Sequence, residues 1–189
     1  MGPAAVGKSC LTLRYVQRIF VEEYTNTVED RFQKMEIVDG KVTLLNLLDT
    51  SGEEDFISLR QMWLQGREGV LLVFSAADKK TLADLDNFYN LITLLTPRTT
   101  TPLPLALVAN KIDLKRQVSS LEGQEVAKKW GAEYFEVSAK TGERVDEVFS
   151  WLVRRVREGR RKEEGEEGGG KTEEERGWIE KMTSWCNLI

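Results

Sequence analysis

The strongest constraint on how this chain can fold lies in its first residues. Gly2-Pro3-Ala4-Ala5-Val6-Gly7-Lys8-Ser9 spaces its glycines, lysine and hydroxyl as G-x-x-x-x-G-K-[ST]. Backbone N–H groups of such a loop point inward at a phosphate, helped by the positive end of a helix that begins near Lys8. Lys8 would bridge β- and γ-phosphate oxygens, and the Ser9 hydroxyl would coordinate Mg²⁺. A glycine-containing turn followed by a chance lysine is the blander account. The loop alone does not separate adenine from guanine.

A loop of this kind needs strands and helices around it, and the pattern supplies them. Val42–Leu48, 69–74, 103–109 and 134–137 read as strands by length and apolar density. Leu82, Leu85, Phe88, Tyr89, Ile92 and Leu95 keep helical spacing, as do Val145, Val148, Phe149, Leu152 and Val156. Strands alternating with helices predict an α/β fold, a mostly parallel sheet with helices on both faces. Asp39-Gly40 between Gln33–Val38 and Lys41–Leu48 predicts one antiparallel hairpin. Residues 1–157 read as the compact domain. Residues 158–189, with Gly168-Gly169-Gly170 and many glutamates, read as a disordered tail.

Composition removes several alternatives. Histidine is absent, which excludes histidine acid–base catalysis, serine triads and most zinc sites. A net charge of −4 gives no electrostatic argument for nucleic acid. Two cysteines, Cys10 and Cys186, cannot make a disulfide framework, so a reducing cytoplasmic setting is expected. No apolar run reaches the roughly 18 residues of a membrane span, and no signal peptide is expected.

Asp49-Thr50-Ser51-Gly52 follows the apolar run ending at Leu48. Asp49 there can hold Mg²⁺ through water, and Gly52 lets a backbone N–H approach a γ-phosphate. Read alone, a strand-ending turn is the better account; the upstream loop reverses that. Asn110-Lys111-Ile112-Asp113 follows the next buried strand, and Ser138-Ala139-Lys140 the last. Asp113 can accept from N1–H and the exocyclic amine of guanine together, a donor pair adenine lacks. The N–H of Ala139 can donate to the guanine carbonyl oxygen, and the stems of Lys111 and Lys140 can cover the ring. Each lies at the carboxyl end of a strand, where such sheets bind ligands.

Together these motifs resemble the signature motifs of the Ras superfamily of P-loop NTPases over about residues 2–157. Residues 20–30, from Phe20 through Thr27 to Asp30, are similar to the effector loop of the Ras family proper. That resemblance implies a GTP/GDP switch with Mg²⁺, hydrolysing GTP with water as nucleophile. It assigns Gly2, Ala5, Val6, Gly7, Lys8, Ser9 and Cys10 to the phosphate side of the nucleotide. Phe20 would pack edge-on against the base, and Tyr24 and Thr27 would also contact the nucleotide. Thr27 would give Mg²⁺ a second hydroxyl besides Ser9 and Asp49, and Lys8, Thr27, Gly52 and Glu53 would carry hydrolysis. It further implies an exchange factor, a GTPase-activating protein and an effector with a Ras-binding domain, acting through residues 22–30 and 49–66. Two rivals remain: a GTP-binding interaction module with little hydrolysis, and a P-loop kinase or ATPase, which Asp113 and Ala139 disfavour.

Four departures from the family pattern stand out. The family's loop follows a buried central strand, whereas only Met1 precedes Gly2 here. A sheet lacking that strand would expose its neighbours' backbone groups, so marginal stability and a truncated gene model are expected, with a non-folding fragment as the extreme case. Ala4 and Ala5 replace the family's small glycines and add methyls where the γ-phosphate, water and an arginine finger crowd. Glu53 replaces the water-orienting glutamine and adds charge beside the phosphates. Asn26 and Ser51 replace proline and alanine. Ala4 and Glu53 together predict poor response to GTPase-activating proteins.

The chain closes with Cys186-Asn187-Leu188-Ile189, matching the C-a-a-X lipidation signal. Cys186 is therefore the expected acceptor for a prenyltransferase, with a weak lean to geranylgeranyl. Anchoring at the cytoplasmic face of the plasma membrane or an endomembrane follows. The basic run Arg154 to Lys162 could assist but is also read as a solvated helix face. Trp178, Ile179, Met182 and Trp185 would share one helical face lying on the bilayer.

Overall fold

The computed structural model describes residues 1–22, 27–96, 102–167 and 185–189. The Asp39-Gly40 turn takes the two left-handed conformations (φ 53 and 73) that a tight hairpin needs. It joins β1 (Glu29–Val38) to β2 (Lys41–Thr50), antiparallel with Val38 opposite Lys41 and Glu29 opposite Thr50. The expected parallel strands follow as β3 (Val70–Ser75), β4 (Leu105–Asn110) and β5 (Glu133–Glu136), hydrogen-bonded in the order β3-β4-β5.

Helices cover both faces: α1 (Lys8–Gln17), α2 (Ile57–Leu64), α3 (Lys79–Leu95), α4 (Ser120–Trp130) and α5 (Val145–Glu167). Alternation along the buried strands decides which face each residue feeds. Leu71, Val73, Ala106 and Val108 pack with Leu11 and Tyr15 of α1 and Val148, Phe149 and Leu152 of α5. Their neighbours Val70, Leu72, Phe74, Leu105 and Leu107 pack with Trp63, Leu85, Phe88, Ile92 and Trp130 on the other face. Local signals set the helix starts. Asp78 accepts the N–H of Lys80, and Ser119 and Glu122 form a reciprocal capping box on α4.

The sixth strand comes from the far end of the chain. β6 (Trp185–Leu188) pairs parallel with β2, placing Leu45 opposite Cys186 and Leu47 opposite Leu188. Its other side meets β3: the N–H of Ile189 donates to Gly69 O at 3.1 Å, and the N–H of Leu71 donates to Ile189 O at 2.6 Å. Met1 prolongs the same line, its amine donating to Leu71 O at 2.7 Å and its carbonyl accepting the N–H of Val73 at 2.9 Å. Among the described residues none before Lys8 forms a strand, as the sequence leads one to expect. β6 pairs with Leu44–Leu47 of β2, and Ile189 and Met1 hydrogen-bond to Leu71 and Val73 of β3, so these backbone groups have partners.

The expectation of disorder from residue 158 onward is revised at both ends. Helix α5 continues to Glu167, and four residues of the tail form β6. Arginine, lysine and glutamate are good helix formers, and Arg160 of α5 is anchored by donating from Nε to Glu68 at 2.6 Å. The basic run is likewise largely engaged. Arg154 holds Asp39 in a two-pronged pair at 2.8 Å, and Arg157 donates to Val38 O at 2.8 Å, Lys41 O at 3.1 Å and the Thr43 hydroxyl. Of the Trp178, Ile179, Met182 and Trp185 face, only Trp185 belongs to the described residues, and its backbone is in a strand.

Candidate functional site

The Gly2–Ser9 segment leads into α1 as expected. Gly7, at φ 91, is the residue before α1, and no side chain caps the helix start, leaving its first N–H groups to other partners. Ala5 (φ 59) and Gly7 are both left-handed, backbone that curls successive N–H groups into an anion-binding concavity. The loop's carbonyls are held by side chains from three directions. Lys8 Nζ donates to Pro3 O at 2.7 Å, Lys111 Nζ to Ala5 O at 2.6 Å, and Asn110 Nδ2 to Val6 O at 2.9 Å. Burial pushes the Lys8 ammonium down to about 8, with Asp49 acting the other way.

Two glycines are fixed by close approach. A Cβ on Gly7 would lie 2.5 Å from Asn110 Nδ2, and one on Gly52 would lie 2.2 Å from the Pro3 carbonyl carbon and 2.4 Å from the Ala4 nitrogen. Gly52 therefore brings the end of β2 into backbone contact with the loop. Beside it, Asp49 is buried (4% exposed) and burial pushes its carboxyl up, while a hydrogen bond from Ser9 and the charge of Lys8 oppose the rise. Its Oδ2 has no hydrogen-bond partner among the described residues. The hydroxyls of Ser9 and Thr27 lie 3.0 Å apart. One orphaned carboxylate oxygen near two hydroxyls is a hard, all-oxygen donor set, which fits Mg²⁺.

The two base-side motifs converge through Asn110, which is 1% exposed. Its Oδ1 accepts the backbone N–H of Ala139 at 3.1 Å while its Nδ2 serves Val6, so one side chain ties the loop after β5 to the phosphate loop. Asp113 is exposed, and its Oδ1 accepts from Ser138 Oγ at 2.6 Å, which sets the plane of the carboxylate. Ser138 Oγ also accepts the N–H of Thr141 at 3.1 Å. Phe20 is half-buried with the Arg14 guanidinium 6.0 Å from its ring centre. Lys140 lies 3.7 Å from Glu22, both exposed. Cys10, half-buried, donates from Sγ to Val21 O at 3.5 Å. Tyr24 lies outside the described residues.

Three residues that the sequence did not assign to the site help to build it. Arg14 donates to Ala139 O at 2.8 Å and Lys140 O at 2.5 Å, pinning the last loop to α1. Ser51 Oγ accepts the N–H of Glu53 at 3.2 Å. Arg60, buried over the Phe88 ring, donates to Gly52 O at 3.4 Å and Glu53 O at 3.3 Å. Only Ser51 carried a signal, as a departure from the family alanine. An arginine within a helix has none. Cys186 is buried within β6.

Comparison with known proteins agrees with this geometry. The family model described as "Ras family" matches residues 1–158. The chain is 40% identical over 162 residues to the Ras-like protein rasS of Dictyostelium discoideum, covering 85% of this chain and 82% of that one. It is 38% identical over 160 residues to the Ras-like protein 1 of Saccharomyces cerevisiae, covering 84% of this chain. The chain spans about half the length of that yeast relative, 51%. The three loops joined by Asn110, the backbone contact at Gly52 and the extent of the match lead to one conclusion: the chain belongs to the Ras family.

Proposed function

We propose that this protein is a GTP/GDP molecular switch that binds guanine nucleotide with Mg²⁺ and hydrolyses GTP. The observation that carries this reading is the double role of Asn110, whose amide joins the phosphate loop at Val6 to the base-side loop at Ala139. A ligand that fills both loops must have phosphates at one end and a purine at the other. Asp113, its carboxylate plane set by Ser138, suits the paired donors of guanine. Ser9, Thr27 and Asp49 would hold Mg²⁺, which when bound would neutralise phosphate charge. Lys8 would trade Pro3 O for phosphate oxygens, and that charge would raise its depressed pKa again.

A second reading is a GTP-loaded interaction module with slow turnover. Ala4 adjoins Gly52 through its backbone nitrogen, and Glu53 follows directly, its backbone fixed by Ser51 and Arg60. A carboxylate held there cannot donate to phosphate oxygens as a glutamine amide can. β1 is an edge strand, with Asp30 exposed and Glu29 half-buried under the Trp63 indole N–H at 2.7 Å. An effector with a Ras-binding domain would add a strand to that edge. Residues 22–30 and 49–66 would be the segments read by exchange factors and GTPase-activating proteins. Cys186 would accept a prenyl group and anchor the chain to a membrane; among the described residues no helix is long and apolar enough to cross one.

The test is competition for a fluorescent guanine nucleotide on the full chain, with and without Mg²⁺, followed by single-turnover hydrolysis with and without a Ras-type activating protein. Displacement by GTP and GDP but not by ATP supports the switch reading. Equal displacement by ATP overturns it. Binding without stimulated hydrolysis selects the interaction module.

A further inference from the structure

An arginine late in a helix ordinarily sends its charged end into water. Arg14, in the last turn of α1, does not: it is half-buried, and each of its three guanidinium nitrogens meets a backbone carbonyl. Nε donates to Ala139 O at 2.8 Å, Nη2 to Lys140 O at 2.5 Å and Nη1 to Arg18 O at 3.2 Å. The guanidinium carbon also lies 6.0 Å from the centre of the Phe20 ring, the side chain read as packing against the base. Its stem is close to the same loop, since a Cβ on Gly142 would lie 3.7 Å from Arg14 Cδ. The rigid fork of an arginine holds two neighbouring carbonyls at once, which the point charge of a lysine does not.

Those contacts constrain groups on the opposite side of the loop. A trans peptide points its N–H away from its carbonyl, so holding Ala139 O toward Arg14 turns the N–H of Lys140 the other way. Holding Lys140 O does the same for the N–H of Thr141, which donates to Ser138 Oγ at 3.1 Å. That hydroxyl in turn donates to Asp113 Oδ1 at 2.6 Å. One guanidinium therefore stands behind a backbone donor and a carboxylate, the two kinds of group that a guanine edge requires.

We propose that Arg14 is a positioning residue for the guanine base, which fixes the peptide groups after Ala139 and Lys140 and so sets how slowly the nucleotide leaves. It presents the Lys140 N–H to the base directly and the Asp113 carboxylate through Thr141 and Ser138, while backing the Phe20 ring. Arg14 itself touches no part of the ligand in this account. Its effect is preorganisation: the loop is already held in the shape that the base selects, so less ordering is left for binding to supply. This inference rests on the guanine-nucleotide reading above.

The test is release of a fluorescent GDP from the full chain with Mg²⁺, chased by excess unlabelled GDP. Arg14→Ala is expected to release it at least about tenfold faster, the order set by losing charged donors at two carbonyls. The helix itself accepts the change, because alanine is the best helix former. GDP and ADP carry the same phosphates, so the preference for GDP over ADP, measured by competition, should shrink by about the same factor. A general loosening of the site would weaken both nucleotides alike and leave that preference intact. Arg14→Lys keeps the charge and most of the stem without the fork, so its release rate should fall between the two. It carries the same measurements should Arg14→Ala not melt cooperatively. Unchanged release, or an unchanged preference for GDP over ADP, overturns the proposal while leaving the guanine reading in place. An original chain that binds ADP as tightly as GDP overturns that reading and this role with it.

Discussion

The backbone N–H of Ala139 donates to Oδ1 of Asn110 at 3.1 Å, joining two loops that lie at the ends of different strands. Asn110 thus acts on the nucleotide site through the backbone on either side of it. Asn110→Ala would leave the Val6 carbonyl and the Ala139 N–H without this partner in a buried place. A loss of about 1–3 kcal/mol in stability is expected, as for unsatisfied buried groups. Urea unfolding checks this, and guanine nucleotide affinity should fall with it. Unchanged stability would show that the two loops hold their positions independently.

Ala5 sits at φ 59, a left-handed backbone that costs a residue with a Cβ about 1 kcal/mol relative to glycine. Its side chain is exposed, so no packing offsets that cost. Ala5→Gly should raise the unfolding free energy by roughly 0.5–1 kcal/mol, less the gain in freedom of the unfolded chain. Chemical denaturation of the two chains side by side decides it. A fall in stability would mean that Ala5 has contacts in solution that offset its backbone strain.

Asp49 carries a buried oxygen without a partner among the described residues, and burial pushes its carboxyl up. A carboxyl whose folded pKa is raised penalises folding once pH exceeds its ordinary value, because the charged form is disfavoured in the fold. Asp49→Asn removes that charge, so the chain without Mg²⁺ should be as stable as the original or more so. With GDP present, the rise in Tm on adding Mg²⁺ should vanish in the variant. Thermal melts with Mg²⁺ and with EDTA measure both effects. A variant that keeps the full Mg²⁺-dependent rise would remove Asp49 from the proposed metal site.

Much of this was legible in the sequence for identifiable reasons. β3 and β4 are short apolar runs buried on both faces, and Asp39-Gly40 is a turn that few other structures use. Helix α4 escaped the apolar pattern, although Ser119 and Glu122 spell a capping box. Gly7 and Gly52 were legible as loop glycines, but their close neighbours Asn110 and Pro3 are far away in sequence. The least legible element was β6. Its four residues are too few for a periodicity signal, and they follow a glutamate-rich stretch that argues for disorder. What makes them a strand is the line between β2 and β3, a non-local fact. Arg14 and Arg60 were missed for the same reason, since their carbonyl partners come from loops that only the fold brings near.

Glu136 at the end of β5 accepts both prongs of the Arg116 guanidinium, at 2.8 and 2.7 Å, together with the Ser120 hydroxyl at 2.5 Å and the Tyr134 hydroxyl at 3.0 Å. Arg116 foremost holds its carboxyl down to about 2, from an ordinary 4.5. A depressed acid pKa stabilises the fold above the unfolded value and ceases to do so as pH falls through the folded one. The contribution is therefore full above pH 4.5 and disappears toward about 2. With Glu136 19% and Arg116 34% exposed, it amounts to about 2 kcal/mol after solvent screening. Glu136→Gln should lower stability by that order at neutral pH, and the gap between the two chains should close on acidification. Urea midpoints for both chains from neutral pH to about pH 3 would show it. A gap that stays constant across that range would mean that Glu136 contributes through shape and hydrogen bonding alone, with its charge irrelevant to the anchoring of β5 on α4.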